Sequence, residues 1–266
     1  MSGGAADGLD ALLAATVREG DRLRAAVPDS WMQGRTAYGG LSSALALQGA
    51  LALAEPRFPL RTALVAFVGP TAGDCTVEAS VLRRGKSSDA VTATVRSGEE
   101  VGTQATFLFG RDRPSAIDAS ALPMPDVPAA ADLAERRTRD LPTFTQHFDM
   151  RLAGGERLAS GSERGELTWW VRLREPVAAP AAVALLALGD ALPPAAFCQL
   201  PTIAPVSSMS WTLHLLEAEP ETDDGWWLLR SVATRTAHGF SAQEMTIWNT
   251  AGHAVATGGQ GIAVYG

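Results

Sequence analysis

The chain carries one pattern of apolar and polar positions twice. In the first half an apolar stretch opens at Tyr38-Gly39-Gly40, runs through GGLSSALALQGALALA and stops at Glu55-Pro56, where proline cannot continue a helical ladder. Four segments follow, 62–68, 75–83, 89–97 and 101–110, in which apolar and polar residues alternate or β-branched residues cluster. Gly69-Pro70, Gly85 and Gly98 separate them. The pattern predicts a long buried helix followed by an antiparallel meander. In the second half, strands over 147–152 and 166–173 precede a helix from Ala181, and strands follow over 208–216, 226–236, 241–249 and 254–265.

The halves also match locally. Gly85 falls on Gly239, Val101 on Val255 and Thr103 on Thr257, and each valine lies 16 residues after its glycine. An offset of about 150 residues signals a duplicated domain and not a solenoid. Between the halves, 111–142 is rich in Ala, Asp, Pro and Arg with little periodicity, and reads as a linker. The expected division is therefore 1–110, a linker over 111–142, and 143–266. A helix followed by a meander implies an antiparallel sheet wrapped around that helix. One such unit leaves a sheet edge and a helix flank bare, and a second beside it covers both.

Composition narrows the function. Of 266 residues, 46% are hydrophobic and 19% charged, which describes a folded chain able to bury a sizeable core. A net charge of -7, with Lys86 the single lysine, argues against a nucleic-acid partner. The N-terminus lacks the basic and apolar regions of a signal peptide. The longest apolar runs, 44–54 and 181–188, are too short to span a membrane, so a cytoplasmic protein is expected. Cys75 and Cys198 read as small buried thiols. His147, His214, His238 and His253 form no metal spacing, and neither a G-x-S-x-G elbow nor a phosphate-binding loop occurs. No metal and no cofactor is expected.

Four stretches, in order, resemble the double-hotdog acyl-CoA thioesterases, the thioesterase II family: YGGLSSALALQGAL, VLRRGKSSDAVTATV, LLALGDALPPAAF, and SMSWTLHL with HAVATGGQGI. The resemblance implies an α+β tandem hotdog fold, antiparallel sheets each wrapped around a long helix. It also implies hydrolysis of acyl-CoA thioesters by an Asp, a Ser or Thr and a Gln grouped around a water in the second hotdog. By position these are Asp190, Ser208 and Gln260. Ser207 and Ser210 are neighbouring candidates for the hydroxyl, and the family more often shows Asp where Ser210 stands. Gly39 and Gly40 would bind substrate. Acyl-CoA is then the expected partner, in a homodimer or larger even-numbered assembly, since outer sheet faces tend to be covered symmetrically.

The chemistry is coherent without the family. A thioester carbonyl is electrophilic, so hydrolysis needs a positioned water more than a strong nucleophile. Asp190 can take the water's proton, and a Gln amide and a Ser hydroxyl can hold the water. An acid in an apolar helix must find partners or do work. Backbone N–H groups at Gly39-Gly40, at a positive helix end, would face the oxyanion. Plainer roles remain open: Asp190 capping the turn at Leu192-Pro193-Pro194, Gln260 pairing with a neighbouring strand, Gly39-Gly40 a tight helix start. Trp169, Trp170, Trp226 and Trp227 read as core or interface aromatics. Thr106 aligns with Gln260 and the first helix has no acid between Gly40 and Glu55, so one site per chain is expected. Arg83, Arg84 and Arg235 are candidates for the CoA phosphates. The alternatives are a degenerate hotdog that binds acyl-CoA or assembles without turnover, and a double-hotdog dehydratase or hydratase, which would need a catalytic His.

Overall fold

The alternating segments form strands and the two apolar stretches form helices, close to the expected bounds. The computed structural model describes residues 7–135 and 141–265; residues 136–140 of the expected linker, with 1–6 and 266, lie outside the described residues. The first half contains α1 (Leu9–Ala14), β1 (Val17–Glu19), β2 (Arg22–Val27), the short pair β3 (Met32–Gln33) and β4 (Thr36–Ala37), and α2 (Gly39–Gly49). Then come β5 (Leu60–Phe67), β6 (Gly73–Arg84), β7 (Ser88–Ser97) and β8 (Glu100–Gly110). The second half contains β9 (Phe148–Gly155), β10 (Glu166–Leu173), α3 (Ala181–Gly189), β11 (Val206–Leu215), β12 (Trp227–Ala237), β13 (Phe240–Asn249) and β14 (Ala254–Val264). The elements before Tyr38 are ones the sequence pattern does not predict. Beyond α2 the chain makes a wider turn over Ala50–Ala54 and leaves the helix at Glu55, in the left-handed region (φ 47°), just before Pro56.

All strands but β3 and β4 join one twelve-stranded sheet in the order β1-β2-β6-β7-β8-β5-β11-β14-β13-β12-β10-β9. Its pairings are antiparallel. Outward from the central β5–β11 pair, the two halves repeat one strand order, as duplication requires. α2 packs against β6, β7 and β8, α3 against β10, and the helices against each other. Both helices are apolar around most of their circumference because they are enclosed in this way: Leu41, Leu45, Leu47, Leu185, Leu186 and Leu188 are essentially fully buried. This is the tandem hotdog arrangement. No helix among the described residues is long and apolar enough to cross a membrane.

The segment joining the halves is more than a tether. Met124, Val127, Ala130 and Leu133 pack over Trp170, Trp226, Leu228 and Trp248 on the outer face of the second half's sheet. Trp170 Nε1 donates to Pro128 O at 2.9 Å and Trp248 Nε1 to Leu122 O at 2.9 Å. Arg151 donates to the carbonyls of Ala130 and Leu133. The strap explains why β10 is buried on both faces, with Trp169 toward the helices and Trp170 beneath the strap.

The local repeat needs one correction. Thr103 is buried and donates to Ser42 Oγ on α2 at 3.1 Å, whereas its aligned partner Thr257 sits between the core residue Ala256 and Gly258 and faces outward. Thr106 likewise pairs with Thr92 on the outer face, while Gln260 is buried on the inner face. Unequal hairpins and bulges cause the slip: Arg84 stands opposite Asp89, but Ala237 stands opposite Phe240. The inward positions flanking Thr106 are Ala105 and Phe107, so the first half still offers no amide on the core face.

Candidate active site

The three elements carrying the expected site residues converge where α3 ends against the start of α2. Asp190 follows the last turn of α3 with φ -93° and ψ 8°. Its carboxylate does not cap the prolines downstream but turns toward the N-terminus of α2. There the two glycines serve space and not unusual backbone angles. A Cβ on Gly39 would stand 2.6 Å from Asp190 Oδ2 and 3.0 Å from Phe67 Cζ. One on Gly40 would stand 2.6 Å from Cε1, Cζ and Oη of Tyr38, whose ring stacks on Phe144 at 4.0 Å. The glycines let a carboxylate reach the positive end of α2.

Gln260, on β14, donates from Nε2 to Asp190 Oδ1 and accepts at Oε1 from Gln243 Nε2 of β13 at 2.8 Å. Gln260 thus pairs with a neighbouring strand, as its plain reading has it, and also reaches the acid. The glycines around it permit close strand contact, since a Cβ on Gly258 would meet Thr212 O at 1.9 Å and one on Gly259 would meet Gln243 O at 2.8 Å.

Burial pushes the Asp190 carboxyl from its usual 3.8 up to about 7, while the Gln260 amide and the Gly40 N–H pull it back down. What exposure Asp190 retains is to a concave cavity and not to open solvent. An acid half-ionised near neutrality can both take and return a proton.

The cavity has a volume of about 690 Å³ and is lined by Asp190, Gln260, Ser207, Ser208 and Gly39 among polar groups and backbone. Phe67, Phe144, Trp169, Phe197, Leu158 and Leu192 line its apolar wall. Trp169 thus faces a cavity, while Trp170 and Trp226 lie under the strap. Among the three serines, Ser208 pairs with the buried Ile262 and lines the cavity; a bulge follows it. Ser207 is exposed at the rim. Ser210 pairs with Gly261 on the outer side of the sheet and lies away from the cavity. Gly40 does not line the cavity and its N–H interacts with Asp190, which leaves Gly39 as the glycine facing a ligand.

Two features escape the sequence reading. Gln243 is 3% exposed and buried beside Gln260; the alternation of Met245 and Ile247 on β13 already puts it on the core face. Arg35 lines the cavity, whereas Arg83, Arg84 and Arg235 do not. Arg84 instead binds the carbonyls of Ala54 and Glu55 at the end of the α2 turn. Nothing in the sequence around Arg35 marks it.

Comparison with known proteins gives the family and the fold. Residues 27–110 match the family model for the acyl-CoA thioesterase N-terminal domain and residues 120–264 that for the C-terminal domain. The chain belongs to the acyl-CoA thioesterase family. Among solved structures, a conserved hot dog fold protein of unknown function from Alicyclobacillus acidocaldarius is similar at 25% identity and TM-score 0.86, over 97% of this chain and 98% of that one. A proposed thioesterase II from Thermobifida fusca is similar at 23% identity and TM-score 0.82, over 97% of each chain. An acyl-CoA thioesterase II from Mycobacterium marinum is similar at 17% identity and TM-score 0.76, over 97% and 98%. A comparison with curated proteins found no match.

Proposed function

We propose that the protein hydrolyses acyl-CoA thioesters to the free acid and CoA by direct attack of water, with no acyl-enzyme. The observation that carries this reading is the Asp190 carboxylate, held by Gln260 at the N-terminus of α2 and open to an apolar-walled cavity. Asp190 takes a proton from a water held with Gln260 and Ser208, and the resulting hydroxide attacks the thioester carbon. The oxyanion meets the Gly39 N–H at the positive helix end. The C–S bond then breaks, and the CoA thiolate recovers a proton from Asp190. The aromatic wall suits the acyl chain, and Arg35 suits the polar end of CoA.

On the same reading the chain divides into hotdog units over 1–110 and 143–266 joined by 111–142, and the protein works in the cytoplasm. It self-associates as a homodimer or larger even assembly. The described part of the strap packs over Trp170, Trp226, Leu228 and Trp248 of the second half, while Leu64 and Leu108 on the first half's outer face are 41% and 39% exposed. Light scattering at micromolar concentration is expected to give a multiple of the chain mass, and a monomer mass would refute association. For the activity, thiol release is measured over acyl-CoAs of graded chain length, with ligand-induced thermal shift in parallel. Turnover supports hydrolysis. Thermal shifts without turnover would hand the site to a binding protein that has lost catalysis.

A further inference from the structure

The amides behind Asp190 form a chain with a direction. Ala195 N–H donates to Gln243 Oε1 at 2.8 Å; Gln243 Nε2 donates to Gln260 Oε1 at 2.8 Å; Gln260 Nε2 donates to Asp190 Oδ1. A backbone N–H can only donate, so Gln243 must turn its carbonyl toward Ala195 and its NH2 toward Gln260. Gln260 must then turn its own carbonyl toward Gln243 and its NH2 toward Asp190. Both glutamines are buried, at 3% and 6% exposure, so water cannot readily stand in for a missing partner.

We propose that Gln243 is a positioning residue: anchored on Ala195 N–H, it fixes the amide of Gln260 so that Asp190 always receives a donor and never a carbonyl. This rests on the hydrolytic reading of the site. Oδ1, bonded to Gln260, is the anchored oxygen. Oδ2 lies against Gly39 at the N-terminus of α2, and the Gly40 N–H also interacts with the carboxyl. A reversed Gln260 would offer its carbonyl to Asp190, and the stable partner of a carbonyl is a protonated acid, which cannot act as a base. Gln243 therefore protects the ionised form of Asp190 without touching substrate. The titratable group facing Asp190 is the Tyr38 phenol on the turn into α2. Arg35 stands in the same cavity lining, and β14 and α3 present Gln260, Ala191 and Leu192.

The test compares the pH profile of thiol release for the wild type, Gln243→Met and Ala195→Pro. Methionine keeps the length and removes both hydrogen bonds. Proline suits the first position of a helical turn and removes only the N–H that sets the direction. In both variants the acid limb of kcat/KM is expected to move upward by about one pH unit, with activity about tenfold lower near pH 6 and within about twofold of wild type near pH 9. KM should change by less than about twofold. A purely structural role would lower activity evenly across pH, and an unmoved acid limb in both variants overturns the proposal. The pH dependence of the urea midpoint reports the Asp190 titration without turnover. An upward shift there in Gln243→Met, with a wild type that hydrolyses nothing, would sink the hydrolytic reading and keep the positioning role. Hydrolysis with unshifted titration would sink the positioning role alone.

Discussion

Asp190→Asn should stabilise the protein, and by an amount that grows with pH. The folded-state carboxyl titrates at about 7 against a usual 3.8, because the folded chain holds it away from water. Between those values the folded state binds the proton more tightly than the unfolded chain. The associated stability is thus fully present below 3.8 and is lost as pH rises through about 7. A displacement of this size amounts to about 4 kcal/mol, of which roughly 3 kcal/mol falls between about pH 5 and about pH 8. Asparagine has no charge to desolvate and can keep one acceptor for Gln260 Nε2. Urea unfolding of both proteins across this range gives the difference, since the slope should be common to both. The stability gap should open in favour of the variant as pH rises. Parallel stability curves would refute the burial argument for Asp190.

Three further outcomes follow from the same contacts. Gly39→Ala places a methyl group 2.6 Å from Asp190 Oδ2, so thiol release should fall at least about tenfold while the circular dichroism spectrum is unchanged. Gln260→Ala should slow hydrolysis less than a change at Asp190, because the base remains and the volume left by the removed side chain opens to the cavity, where water can replace part of the amide's bonding; kcat on one acyl-CoA decides it. Asp89, with a fully buried side chain held well below the usual carboxylate range at about 2 by the Arg57 guanidinium, should cost about 1–3 kcal/mol when replaced by Ala, read as a lower thermal midpoint. That loss should shrink as pH falls from about 4 toward 2, where the wild-type carboxylate gains its own proton.

The sequence made the repeated helix-and-meander order legible because helix and strand leave different periods, and those periods survive in both halves. It made Asp190 legible because an acid inside LLALGDAL has no cheap place to go. It did not make the facing of residues across the repeat legible. That depends on bulges and turn lengths, which slip Thr103 and Thr257 onto opposite faces while their spacing to glycine stays equal. The strap was equally hidden: Trp248 reaches a carbonyl 126 residues away, and a segment rich in Ala and Pro has no periodicity to announce that it packs. For Gln243, alternation along β13 gave its face, but the direction of its amide rests on a single N–H at Ala195, a distant contact no local pattern encodes.

If Asp190 drives water onto a thioester, thiol release from acyl-CoA by the wild type and by Asp190→Asn shows it, with acyl-CoA binding measured on both. The variant should have a kcat lower by about 10² to 10⁴, with binding largely retained, because a positioned base has been removed and the cavity has not. Hydrolysis by Asp190→Asn at the wild-type rate on every acyl-CoA the wild type accepts would contradict that role for Asp190.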